Sequence, residues 1–193
     1  MAELDFLLTA VELKDEQRTG WDVRGVTDPE SVAAHSWGVA FLCFLFADNA
    51  DVDRGTAVEM GLLHDIHEAV SGDIMSGGLT DAERAEKKER EEQGFQQLLE
   101  QYGGDRDDME SLWREYEERE TPVARFVKDM DVLETALQAL YYRKNERYTD
   151  EGRFFTEWDG MAEFFDGTRG RLHTDTAKQV FDDIRARYEE VER

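Results

Sequence analysis

Residues 61–73, GLLHDIHEAVSGD, place a His-Asp pair (His64, Asp65), Glu68 and Asp73 within thirteen positions. The apolar run before them, Ala57, Val58, Met60, Leu62 and Leu63, belongs in a protein interior. An imidazole and a carboxylate carried into that interior are costly to bury unless paired, and a divalent cation would satisfy both. On a helix, Asp65 and Glu68 are three apart and His64 and Glu68 four apart, so all three share a face.

A cation needs further ligands, and other elements must bring them. Two prolines in 193 residues and little strand-like alternation predict an all-α chain. A helix over about 29–47, started by Thr27-Asp28-Pro29, carries the stripe Val32, Val39, Leu42 and Phe46. His35 lies on that stripe. It reads as a satisfied core histidine or as a ligand, and the second reading gains if the His64-Asp65 pair faces it. Thr121-Pro122 starts a later helix whose apolar face is Val123, Phe126, Val127, Met130, Leu133, Leu137 and Leu140. Asp129 and Asp131 interrupt it, in mid-helix, where aspartate has poor propensity. Asp131 is either an edge carboxylate or the missing ligand. His67 receives no role.

The remaining elements frame these. Residues 2–13 predict a first helix with Leu4, Leu7, Leu8 and Val11 as its apolar face. The loop over 14–28 holds Arg18, Trp21 and Arg24. It is a connector whose Trp plugs the core, or an anion-binding loop with an aromatic platform, since guanidinium forks suit phosphate oxygens. Asp53 caps the helix carrying the opening stretch, and Gly72 ends or bends it. A Gly-rich connector over 76–79 leads to a charged helix capped at Thr80 or Asp81 and stopped by Gly103-Gly104. A short amphipathic helix over 107–119 follows, with two closing helices over about 156–165 and 174–190. Phe154, Phe155, Trp158, Phe164 and Phe165 form an aromatic cluster suited to core or dimer contact. No linker or repeat divides the chain, so residues 1–193 are expected to form one domain.

The chain has 46 acidic and 23 basic side chains, a formal charge of −23, and only six of the basic ones are Lys. Such a surface repels itself at low ionic strength and is screened in molar salt, where the Debye length is about 3 Å. The acids are spread over the whole length, as in proteins of salt-accumulating organisms, and no basic stripe offers itself to a nucleic acid polymer. The longest apolar stretch, Val39 to Ala47, is half a membrane span and is expected to be a buried helix, with no membrane partner. The N-terminus lacks a basic signal-peptide start, and the single Cys43 permits no intramolecular disulfide, so the expected location is cytoplasmic.

The order His35, His64-Asp65, Asp131 resembles the HD-domain superfamily of metal-dependent phosphohydrolases. The frame RTGW (18–21), PESVAAHS (29–36), LLHDIHEAVSGD (62–73) and VKDMD (127–131) is similar to the HD-domain 5'-deoxynucleotidases, over roughly residues 4–145. The resemblance implies a helical bundle with one divalent cation (Mn, Co, Fe, Zn, Ni or Mg) on His35, His64, Asp65 and Asp131. It implies hydrolysis of deoxyribonucleoside 5'-monophosphates, with Glu68 and Asp73 as catalytic acids and Arg18 and Trp21 as substrate contacts. It also implies a homodimer. Other phosphoesters, or a non-catalytic regulatory module, are the alternative readings.

Overall fold

The computed structural model describes residues 2–75, 79–102, 106–147, 161 and 164–191. The expected connector at 76–79 (but for Leu79), the Gly103-Gly104 stop, Phe154, Phe155, Trp158 and most of the expected helix over 156–165 lie outside them. Among the described residues there is no strand, only an isolated antiparallel bridge between Gln17 and Ser31.

The helices run α1 (Ala2–Glu12), α2 (Thr19–Asp22), α3 (Val32–Phe46), α4 (Arg54–Leu63), α5 (Glu68–Ser71), α6 (Asp81–Gln101), α7 (Asp107–Glu118), α8 (Pro122–Lys144) and α9 (Asp175–Val191). Several starts follow their sequence signals. Asp53 caps α4, Thr121 caps α8 with Pro122 behind it, and Thr80 with Glu83 closes a reciprocal capping box on α6. The start of α3 is later than expected: Ser31, not Thr27 or Asp28, is the cap, its hydroxyl accepting from Ala34 N. The bridge at Gln17–Ser31 and the bond from Arg18 N to Glu30 O hold residues 29–31 extended.

The helix α1 is turned over relative to its expected face. Phe6 and Leu13 are buried, whereas Leu4, Leu7, Leu8 and Val11 are each at least half exposed. Phe6 stacks obliquely on Tyr102, with ring centroids 4.9 Å apart, and Thr9 bonds Gln101, so α1 is seated on the end of α6 by its narrower apolar side. Leu137, expected on the buried face of α8, is 36% exposed.

The core of the bundle is α3 against α4 and α8. Val39, Leu42 and Cys43 of α3 are buried with Met60 of α4 and Phe126, Val127, Met130 and Leu133 of α8, while Val32 packs in a second cluster with Phe6, Leu13 and Phe95. Gly61 lets α4 approach closely, since a Cβ there would lie 3.2 Å from the Ala40 backbone. With the following 3-10 turn, α3 makes an apolar rod over Val32–Ala50 as long as a membrane span, but one side of it is buried against its neighbours. The expectation of a buried helix holds for that side only. Trp37, Phe41, Phe44 and Leu45 on the other side are 46–65% exposed.

Candidate metal and phosphate site

His35 sits mid-stripe on α3, fully buried. Its Nδ1 lies 2.5 Å from Glu134 Oε2, leaving Nε2 to point at Asp131 Oδ1, 3.2 Å away, and Asp65 Oδ2, 3.7 Å away. His64 follows the last residue of α4, and its Nδ1 is 2.8 Å from the carbonyl of Gly61, one turn back. A carbonyl only accepts, so Nδ1 carries a proton and Nε2 is the nitrogen left to face the carboxylates. That Nε2 is 3.1 Å from Asp65 Oδ2. Two anchored imidazoles therefore converge, with rings 5.3 Å apart, on the oxygens of Asp65 and Asp131.

The expected continuous helix through His64 and Glu68 is broken. Amides of Ile66, Glu68, Ala69 and Val70 donate three residues back, to Leu63, Asp65, Ile66 and His67. Three-per-turn winding eclipses residues i and i+3, so Asp65 and Glu68 still stand one above the other. Gly72, at φ +72°, then ends α5 and turns Asp73 toward α2.

Among the described residues the site leaves three buried polar atoms without a hydrogen bond: His35 Nε2, His64 Nε2 and Glu68 Oε2. Orphaned buried nitrogens of this kind call for a ligand. The ligand atoms of His35, His64 and Asp131 all lie within 4.8 Å of one another. Two neutral imidazoles and two carboxylates suit a borderline or hard divalent ion, so the donor set fits one.

The titrating groups reflect the crowding. Burial and the nearby Arg18 oppose charge on His35, but the carboxylates of Asp131 and Glu134 facing its two nitrogens carry it up to about 9. Burial opposes ionisation of Asp65, yet His64 and His35 hold it well below the usual carboxylate range. Asp131 is likewise held low despite its burial, by Lys128 and His35. Glu68 goes the other way: burial, then Asp65 and Asp73, push it up to about 11.

Asp65, Glu68 and Asp131 open on a cavity of about 590 Å³. Arg18, Arg24, Lys87, Arg119, Lys128 and Arg171 line it together with Asp65, Glu68, Asp73, Glu91, Glu117 and Asp131, so its walls carry both signs of charge in a chain that is acidic as a whole. Arg18 Nη1 is 3.7 Å from Asp65 Oδ2, so the arginine expected on phosphate stands beside the cation cluster. Asp73 takes a different contact: its Oδ2 accepts from Thr19 N, its carbonyl accepts from the Thr19 hydroxyl at 2.9 Å, and its amide donates to Glu16 Oε1. Asp73 thereby pins the loop that carries Arg18. Trp21 is 1% exposed, and its indole N–H donates to Glu30 Oε1. Its ring packs on Tyr142 and Phe164, so it is a core plug whose edge forms cavity wall.

Four participants escaped the sequence reading. Tyr116 OH donates to Asp131 Oδ2 at 3.0 Å, and Lys128 Nζ is 2.6 Å from the same oxygen. Glu134 holds His35, and the Gly61 carbonyl holds His64. Lys128 and Glu134 stand three before and three after Asp131, a helical spacing that could have flagged both.

A family model described as HD domain matches residues 10–165. A human protein named 5'-deoxynucleotidase HDDC2 is 32% identical over 184 residues, covering 95% of this chain and 84% of the relative. A crystal structure of a Pyrococcus horikoshii protein matches with TM-score 0.74 and 27% identity over 96% of this chain and 98% of its own. A predicted metal-dependent phosphohydrolase from Magnetospirillum magnetotacticum matches with TM-score 0.70 and 26% identity, over 99% and 91% of the two chains.

Proposed function

Because this chain belongs to the HD-domain family, we propose that it is a metal-dependent 5'-deoxynucleotidase that removes phosphate from deoxyribonucleoside 5'-monophosphates. The carrying observation is the convergence of His35 Nε2 and His64 Nε2, both without a hydrogen bond, on Asp65 and Asp131 beside a cavity that Arg18 and Lys128 also line. The curated relatives named 5'-deoxynucleotidase, among them the human protein at 32% identity, support the substrate class. In this reading His35, His64, Asp65 and Asp131 hold one divalent cation, which supplies Lewis-acid polarisation of the phosphoryl oxygens and a more acidic water.

The protein's own groups do the rest. Arg18, which faces Asp65 and Thr135 over long contacts of 3.7 and 3.5 Å, can turn its guanidinium fork to phosphate oxygens, bind the dianion and offset the repulsion of so acidic a surface. Glu68 keeps its proton up to about 11 in the cation-free site. A bound cation's charge would favour the carboxylate form, and Oε2 of Glu68, which has no hydrogen bond, would then be placed to take a proton from the attacking water. The new bond runs from water oxygen to phosphorus as the bond from phosphorus to the 5' oxygen breaks, in line. The departing 5' oxygen must gain a proton, and we assign Asp73, on the cavity wall, to that side. Trp21 contributes shape through the wall it forms and is not an exposed stacking platform.

The test is phosphate release from a panel of deoxy- and ribonucleoside 5'-monophosphates, 3'-monophosphates and triphosphates in molar KCl. Release from the deoxy 5'-monophosphates above the others supports the reading. Preference for triphosphates or for another phosphoester overturns it.

We also infer a homodimer through the outer face of α3. Apart from His35, residues 32–46 carry no titratable charge, so two copies of a −23 chain repel least there. Trp37 stacks on Phe41 at 5.4 Å, and with Phe44 and Leu45 they leave an exposed apolar face on α3, the kind of patch that the core of an interface of about 800 Å² per partner covers. Light scattering in molar KCl should give twice 22.3 kDa, and Trp37→Glu with Phe41→Glu should give the monomer. A wild-type monomer at high micromolar concentration would refute the homodimer and leave the face to another protein. The location remains proposed as cytoplasmic, on the lone buried thiol of Cys43.

A further inference from the structure

Glu134 lies three residues beyond Asp131 on α8, so one helix face presents both a cation carboxylate and a second carboxylate behind it. Glu134 is 7% exposed, and its Oε2 is 2.5 Å from Nδ1 of the fully buried His35. The place it occupies depends on α3. Gly38 is one turn beyond His35, and a Cβ at position 38 would lie 2.8 Å from Glu134 Cγ and 2.9 Å from Oε1. Side chains do not approach so closely, so any other residue at 38 displaces Glu134.

We propose that Glu134 is a positioning residue for the cation: it fixes the His35 ring so that Nε2 faces Asp131 and Asp65, and Gly38 supplies the gap that admits it. An outer carboxylate on a ligating imidazole sets its tautomer and orientation and raises its basicity, with typical effects of 10–100-fold on metal affinity. Glu30 is close by, with its Oε1 taken by the Trp21 indole, and it is Glu134 that stands at hydrogen-bond distance from Nδ1. A bland alternative exists, that Glu134 only satisfies a buried histidine. That role would move stability and leave metal affinity alone.

The proposal rests on His35 being a ligand, and the experiment separates the two ideas. The metal-stripped, full-length protein is titrated with Mn or Co against a competing chelator in molar KCl, with circular dichroism to confirm folding. Glu134→Gln keeps an acceptor for Nδ1 but loses the charge and should bind about 10–100-fold more weakly. Gly38→Ala leaves Glu134 in the chain but pushes it away, and should weaken binding to a similar degree. It decides the matter alone should Glu134→Gln fail to fold. His35→Ala is the control. If His35→Ala binds like wild type, the ligand reading itself fails. If His35→Ala loses binding while Glu134→Gln and Gly38→Ala both stay within about twofold of wild type, far below that 10–100-fold range, the positioning role alone is overturned.

Discussion

Asp131 Oδ1 stands 3.2 Å from Nε2 of His35, joining α8 to α3 at the centre of the bundle. The other oxygen of Asp131 is held by Tyr116 and Lys128, so the carboxylate is oriented from behind as well as in front.

That orientation separates binding from turnover. Asp131→Ala or His64→Ala should fold, judged by circular dichroism, yet retain no stoichiometric metal after dialysis. Glu68→Gln should retain the metal and lose about 100-fold or more in phosphate release, the scale of a general acid-base group. Metal content by elemental analysis beside the rate checks both, and full activity in Asp131→Ala would remove the site.

The raised Glu68 gives a pH signature in the metal-free protein. Its folded value of about 11 lies above the 4.5 of an unperturbed glutamate. The stability linked to its proton is therefore complete below pH 4.5 and lost as pH rises through 11. His35, at about 9 against 6.5, acts in the same direction between those limits. Glu68→Gln cannot ionise, so its melting temperature in chelator should fall less than that of wild type between pH 5 and 10. Parallel curves would show that Glu68 does not titrate high.

Asp129 makes the opposite prediction from its neighbour two positions on. It is 1% exposed and accepts from His173 N, Thr174 N and the Thr174 hydroxyl, which anchors the start of α9 to α8. Asp129→Ala takes the acceptor from those part-buried donors and should cost about 1–2 kcal/mol, lowering Tm by about 2–8 °C. Metal affinity should be unchanged.

The two aspartates show what was legible. Both break an apolar stripe and both were conspicuous by propensity, but only one belongs to the site. Sequence cannot say which way a mid-helix carboxylate turns, because that is settled by whichever helix packs over it. The His-Asp pair, His35 and Asp131 were readable because each puts a chargeable group where burial forbids one without a partner. Glu134 was readable only as a neighbour of Asp131 at helical spacing, since the place it takes depends on a missing Cβ at Gly38 across a helix contact. The face of α1 was misread for a related reason. Leu4, Leu7, Leu8 and Val11 have the right period, but the partner helix takes hold of Phe6.

For Trp21 the sequence left two roles open, a core plug and an aromatic platform, and its packing answers to the first. Its burial and its bond to Glu30 make it a core residue, and truncating it to Ala should cost about 3–5 kcal/mol. Lost activity in such a variant would therefore say nothing about substrate contact unless the melting curve were measured too.

The most direct measurement is phosphate release from deoxyribonucleoside 5'-monophosphates by wild-type protein stripped with chelator in molar KCl, before and after adding Mn, Co or Mg. The account predicts no release from the stripped protein and release on adding back at least one metal. Release that persists in excess chelator, or none with any metal from protein shown to be folded, would contradict it.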